Sequence, residues 1–237
     1  MPGQLYFRQL LAGRDFARGD PVARQMVNFV YLIGDRDTGA AIAVDLAYSP
    51  AEVLAMLDED GMRLEGALAT HYHADHVGGD LFGLSIPGLR ELLELAQVPV
   101  YVQRDERDLV TAATGLGRDA LVALEPGATV RAGEIPIECI HTPGHTPGSQ
   151  CFLVADRLVA GDTLFLQGCG RTDLPGGDPE ALYESLFGTL ARVSDDTVLY
   201  PGHLYSEDPS ATMGETRRSN YVLSPRTPAQ WLAMFGN

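Results

Sequence analysis

"ATHYHADHVGG", residues 69–79, sets three histidines and an aspartate within six positions, with short apolar residues before them and two glycines after. In extended chain, side chains two apart share a face, so His71 and His73 can address one point as a strand ends. A turn after them can redirect Asp75 and His76 toward a neighbouring point. Four adjacent ligand-type residues behind a buried strand serve no packing purpose. Imidazole and carboxylate together suit zinc, iron or manganese, and the lack of cysteine at these positions argues against a purely structural zinc. Gly78 and Gly79 let the backbone approach a neighbour closely or open the next helix.

All six histidines fall in three places, 71–76, 141–145 and 203, each after a predicted strand. In "HTPGHTPGS" (141–149) Pro143 and Gly144 exclude a helical histidine pair, so a rigid loop presents His145, His141 or both. Taken alone, His141 reads as a hydrogen-bonded or solvent-facing residue. "AGDTLF" (160–165) places Asp162 after a glycine at an apolar strand end, where a carboxylate is costly unless it meets a cation. "YPGH" (200–203) delivers His203 in the same manner.

The chain around these motifs has 237 residues, 45% hydrophobic and 21% charged, which predicts one soluble α/β domain over 1–237 with a sizeable core. No apolar run approaches the ~20 residues of a membrane helix, and "MPGQLYFRQLLAGRDF" carries no secretory pattern. The three cysteines, Cys139, Cys151 and Cys169, show no zinc-ribbon spacing, and a reduced cytoplasm is expected. Cys139 and Cys151 lie in apolar strands and read as core; Cys169, between glycines, reads as an inert neighbour of the site. A net charge of −15 with scattered cations disfavours nucleic acid, leaving a small molecule as the expected partner.

Strands alternate with helices. "QMVNFVYLIGD" (25–35) and "AAIAVDLA" (40–47) flank a turn and predict a hairpin. "SPAEVLAMLDEDG" predicts a helix with Ser49 as N-cap, Pro50 first inside, Glu52 closing a capping box and Gly61 as the stop. "LEGALAT" (64–70) is a short buried strand, followed by a helix over 87–97, a strand at "VPVYVQ" and a helix at "DERDLVTAATG". Further strands come at "ATVRAG", "IPIECIHT", "SQCFLVAD", "RLVAGDTL" and "DTVLYPGH". Asp178 and Pro179 start a helix through "DPEALYESLFGTLARV", whose Leu182, Leu186 and Leu190 form a buried stripe, and a last helix starts at Thr227.

These motifs, in this order from about residue 25 to about 205, resemble the metallo-β-lactamase superfamily. "THYHADHVGG" is similar to its T-H-x-H-x-D-H-x-G-G signature, and "HTPGHTPGS", "AGDTLF" and "YPGH" to the loops supplying its remaining ligands. The resemblance implies a four-layer αββα sandwich with the site on one edge of two sheets. It implies a first metal on His71, His73 and His145, a second on Asp75, His76 and His203, and Asp162 between them. Two divalent ions, zinc by default with iron or manganese admissible, would share a hydroxide that attacks a carbonyl, with Asp75 handling a proton. Asp45, in "AVDLA", matches a family aspartate that supports the site from behind its ligands.

The resemblance further implies a branch. His76 beside Asp75 is similar to the thioester and lactone hydrolases. "GCGRTDLPGGDPEALYESL" (168–186) resembles both the glyoxalase II-like hydrolases, which cleave thioesters such as hydroxyacylglutathione, and the persulfide dioxygenases. The latter hold one iron through the counterparts of His71, His145 and Asp162. A dinuclear thioester hydrolase is the leading expectation, the iron dioxygenase its alternative, and a lactonase or a non-catalytic binding protein are further readings. Arg171 either takes a substrate carboxylate by a two-pronged contact or pairs with Asp173 or Asp178. The insertion over 81–98 is placed to cover the substrate, and the 210–227 tail departs from the glutathione-binding helices of true glyoxalase II.

Overall fold

The computed structural model describes residues 3–225 and 227–235; the first two residues, the last two and Arg226, read above within the domain and the tail, lie outside it. The first half runs β1 (Leu5–Leu11), α1 (Pro21–Met26), β2 (Phe29–Asp35), β3 (Ala40–Val44), α2 (Pro50–Glu59) and β4 (Arg63–Leu68). It continues through α3 (Ala74–Val77), the small hairpin β5 (Gly79–Leu81) and β6 (Leu84–Ile86), α4 (Leu89–Leu95), β7 (Val100–Gln103), α5 (Arg107–Thr114) and β8 (Leu121–Leu124). The second half supplies β9 (Thr129–Ala132), β10 (Ile135–His141), β11 (Gln150–Val154), β12 (Arg157–Gly161) and α6 (Pro179–Glu184). It ends with β13 (Val198–Pro201), β14 (Ala211–Thr212), α7 (Met213–Ser219) and α8 (Pro228–Phe235).

Two six-stranded sheets result, ordered β1-β2-β3-β4-β7-β8 and β14-β13-β12-β11-β10-β9. Strand alternation sorts the apolar residues into three layers. Phe29, Tyr31 and Ile33 of β2 meet Ile137, Phe152 and Val159 between the sheets. Val30 and Leu32 face outward with Val53 and Leu57 of α2 and Val110 of α5. On the far side, Leu158 and Ala160 lie under Leu182, Met213 and Trp231. Three apolar seams separating four layers is the αββα sandwich. Cys139 belongs to the middle seam and Cys151 to the outer one.

The predicted hairpin forms, with Asp35 opposite Ala40. Other boundaries shift for identifiable reasons. The strand expected from residue 25 starts at Phe29, because Asp20 caps a helix through its Oδ1 and carries the chain to Met26. Ser49 does not cap α2 by accepting a backbone N–H; its hydroxyl donates to Glu52 Oε1 at 2.9 Å, and Glu52 Oε2 takes the Ala17 N–H instead. The long helix expected from Asp178 is regular only to Glu184, then widens into a π-turn over Ser185–Thr189 and tightens at Leu190–Arg192. Ser185 donates to Pro143 O at 2.7 Å, binding that turn to the His145 loop, and Leu182, Leu186 and Leu190 stay buried. The edge strand β1 was not anticipated, since Arg8 and Gln9 interrupt its apolar alternation.

Candidate metal centre

β4 ends at Leu68, and the chain bends at Thr70, whose N–H and hydroxyl both go to Asp45, at 2.7 Å each. That anchor aims His71 and then His73, which starts α3 with an extended backbone. The single turn of α3 swings Asp75 and His76 to the other side. Gly79, at φ +126°, lets the chain pass against the backbone of Ala113 in α5, where a β-carbon has no room. From the second sheet come His145 on the loop after β10, Asp162 just past β12 and His203 just past β13.

All seven predicted side chains meet at this edge. Three overlapping groups form: His71 with His73 and His145, His71 with His76 and Asp162, and Asp75 with His76 and His203. Within each, the candidate ligand atoms lie within 4.8 Å of one another. His141 is elsewhere, its Nε2 3.0 Å from Pro147 O.

The outward nitrogens explain how the rings are set. His145 Nδ1 donates to Arg171 O at 2.7 Å, His203 Nδ1 to Met26 O at 2.7 Å and His76 Nδ1 to the Asp45 carboxylate at 2.9 Å. His71 Nδ1 stands 2.9 Å from the Thr70 hydroxyl, which itself donates to Asp45. Because carbonyls and carboxylates only accept, the protons lie on these outer nitrogens and the lone pairs point inward. Inward lone pairs then face each other at His76 and His203, whose Nε2 atoms lie 3.2 Å apart, while His145 Nε2 sits 3.0 Å from His73 Nδ1. His71 Nε2 and Asp162 Oδ1 are buried with no hydrogen-bond partner among the described residues. Facing lone pairs and orphaned acceptors are unfavourable in a dry site unless a cation lies among them, so these residues fit divalent ions.

Without ions the cluster sorts protons by position. Burial holds His71 well below the usual imidazole range, helped by the charge of His76, and takes His73 to about 4. Burial also lowers His145. It opposes protonation of His76 and His203 too, yet the Asp162 carboxylate overrides it and raises both. Burial would raise Asp75, but His76 and His203 keep its carboxyl below the ordinary value.

The cluster floors a cavity of about 730 Å³ walled by Leu81, Phe82, Leu109, Ala113, Phe165 and Leu174. Tyr205 stacks on His203 with centroids 4.7 Å apart. Arg171 lines the cavity, but its guanidinium forms a two-pronged pair with Asp173, both contacts at 2.6 Å. Cys169 lines it as well; burial pushes its thiol up to about 12, so it stays protonated. Gly170, next to it, has no room for a β-carbon, which would fall 2.7 Å from the His145 ring.

Reading the sequence missed Asn28, Tyr48 and Glu106. Asn28 Nδ2 reaches Asp75 Oδ2 at 3.0 Å, and Tyr48 donates to Asn28 Oδ1 at 2.8 Å. A lone asparagine inside an apolar strand was the available signal.

The metallo-beta-lactamase superfamily profile matches residues 24–203. The chain belongs to this superfamily. It is 33% identical over 222 residues to the mitochondrial persulfide dioxygenase ETHE1 of Homo sapiens, covering 90% of this chain and 80% of that one. It is 37% identical over 181 residues to a hydroxyacylglutathione hydrolase of Rhodopseudomonas palustris, covering 76% of this chain and 63% of the relative. The crystal structure of ETHE1 from Myxococcus xanthus superposes with a TM-score of 0.79 at 29% identity, over 98% of this chain and 90% of that one. These likenesses place the chain in the glyoxalase II/persulfide-dioxygenase-like branch. Among the described residues no helix is long and apolar enough to cross a membrane.

Proposed function

We propose that the protein is a dinuclear metal hydrolase that cleaves a small thioester. The observation carrying this reading is the convergence of seven ligand-type side chains in overlapping groups, five of which (His73, Asp75, His145, Asp162 and His203) line the floor of one largely apolar cavity. His71, His73 and His145 would hold one ion, Asp75, His76 and His203 the other, and Asp162 would stand between. Two such ions supply Lewis acidity toward a carbonyl and acidify bound water.

The chain's own residues do the rest. Asp75, kept ionised by His76 and His203, is available as a proton acceptor beside the reacting carbonyl. The apolar walls desolvate an acyl chain that lies against them. Asp45 and Thr70 fix the tautomers and ring angles of His76 and His71. Arg171 is the one cation besides the histidines among the described residues lining the cavity, and it is already paired with Asp173. That arrangement favours an uncharged acyl group in the cavity over a polyanionic one.

A mononuclear iron persulfide dioxygenase is the second reading, favoured by the 90% span shared with the human enzyme. Its iron would rest on His71, His145 and Asp162. Metal analysis of protein purified without added zinc, joined to turnover assays, separates the two. Two zinc equivalents with thioester hydrolysis support the proposal; one iron with oxygen consumption on glutathione persulfide overturns it. In Asp75→Asn, kcat/KM for hydrolysis is expected to fall about 10²–10⁴-fold. Unchanged hydrolysis in that variant would remove the assigned proton acceptor.

A further inference from the structure

Asp75 Oδ2, His76 Nε2 and His203 Nε2 form a triangle with sides of 3.2, 3.4 and 3.6 Å. A triangle of that size leaves an ion about 2.0–2.1 Å from each corner, the usual zinc–ligand distance. Asn28 Nδ2 lies 3.0, 3.3 and 3.4 Å from the same three atoms, which sets its amide directly over the triangle. Asn28 is buried, enters β2 from a bridge to His203 and is held from behind by the Tyr48 hydroxyl at Oδ1. The amide cannot be turned round at no cost: Asp75 only accepts, so nitrogen must face it, and Tyr48 already donates to the oxygen. Tyr48 is itself fixed, with its N–H on Pro87 O at 2.7 Å and a left-handed φ of +70°.

We infer that Asn28, braced by Tyr48, acts as a built-in competitor for the second ion, so that the two halves of the centre fill in sequence. An amide nitrogen has no lone pair to offer a cation, and its hydrogens present positive charge to the space an ion would take. Entry of the second ion must stretch the hydrogen bond to Asp75 and push past the amide's close approach to the two histidine nitrogens, or rotate the amide and break the bond from Tyr48. Among the described residues the first half has no such guest. His71 Nε2 is buried there without a hydrogen-bond partner, open to an ion. Asn28 therefore separates the two affinities and gives the one-ion protein a range of metal concentration in which it predominates. Because the count of ions is one of the features that divide hydrolase from dioxygenase above, this residue bears on that choice.

The inference rests on the proposed metal centre, and one titration tests both. Metal-stripped wild type, Asn28→Ala, Asn28→Asp and Tyr48→Phe are titrated with zinc against a chromophoric chelator, after circular dichroism has verified folding. Wild type is expected to bind two ions with separated constants. Asn28→Ala is expected to tighten the second about tenfold, the scale of one lost hydrogen bond to a charged group, and to leave the first unchanged. Asn28→Asp, which replaces donors with an acceptor, should tighten it further. Tyr48→Phe should act in the same direction by a few-fold, and it reports even if the Asn28 variants fail to fold. A second constant that is unchanged or weakened in Asn28→Ala and Tyr48→Phe would overturn the inference, leaving the amide as a simple brace for Asp75. Wild type that takes up no zinc would overturn the metal centre, and the inference with it.

Discussion

Glu106 is a carboxyl in a place that does not suit a charge. It precedes α5 almost wholly buried, with Oε1 accepting the Thr146 hydroxyl and Oε2 without a partner among the described residues. Burial pushes its pKa up to about 7, against opposing hydrogen bonds from Thr146 and the Gly148 N–H, while Asp105 adds to the rise. Between pH 4.5 and about 7 the folded protein therefore keeps a proton that the unfolded chain has released. Folded-state proton excess means stability falls as pH rises through that window, by on the order of 3 kcal/mol at most. Glu106→Gln mimics the neutral form, so its denaturation midpoint should exceed that of wild type at pH 8 and converge with it near pH 5. Parallel urea curves at the two pH values would show that the charge is accommodated. Such a residue is invisible in "DERDLV", where a glutamate reads as a helix-start acid on a wet surface. The candidate ligands were legible for the opposite reason: four of them are clustered in six positions, and no surface or core role accounts for that. Asn28 shares the obscurity of Glu106, because a single polar residue acquires meaning only from what surrounds it in space.

At the scale of elements, the local signals with a backbone mechanism carried over best. Pro50 and Pro179 open α2 and α6 as read, and the turn at 35–39 closes the β2–β3 hairpin. What failed depended on partners distant in sequence: Glu52 is drawn from its cap toward Ala17, and the helix after Asp178 is reshaped where Ser185 binds Pro143. The 81–98 insertion, expected over the substrate, forms the β5–β6 hairpin and α4. Phe82, at the hairpin tip with a left-handed φ of +54°, is 95% exposed and lines the cavity. An aromatic ring held in water beside an apolar cavity has area to bury only when a substrate arrives. Phe82→Ala is expected to raise KM several-fold for a long-chain acyl thioester and to leave kcat within about twofold. Its thermal stability should stay within ~0.5 kcal/mol, as for surface changes generally. Equal KM values for short and long chains in both proteins would detach the hairpin from substrate binding.

Across the whole molecule, the candidate ligands divide between the sheets. His71, His73, Asp75 and His76 follow β4 of the first sheet, while His145, Asp162 and His203 follow β10, β12 and β13 of the second. Ions bound at this edge would tie the two sheets together, at the rim of a middle seam that is otherwise apolar. The sequence disclosed the order of the candidate ligands but not their division between the sheets, since no spacing says which strands share a sheet. Removing metal leaves orphaned acceptors and facing lone pairs in a buried site, which protons on His76 and His203 relieve only in part. An ion that binds the native state alone contributes about 4 kcal/mol when present at a thousand times its dissociation constant. For a chain of this length that corresponds to a loss of roughly 10 °C in Tm on chelation. The loss should be reversed by zinc and should shrink in Asp162→Asn, whose site binds metal less well from the start. Differential scanning calorimetry with and without chelator measures it. A melting temperature indifferent to chelator, in protein verified to carry metal beforehand, would mean that the sheets hold together without the centre and that the ions serve chemistry alone.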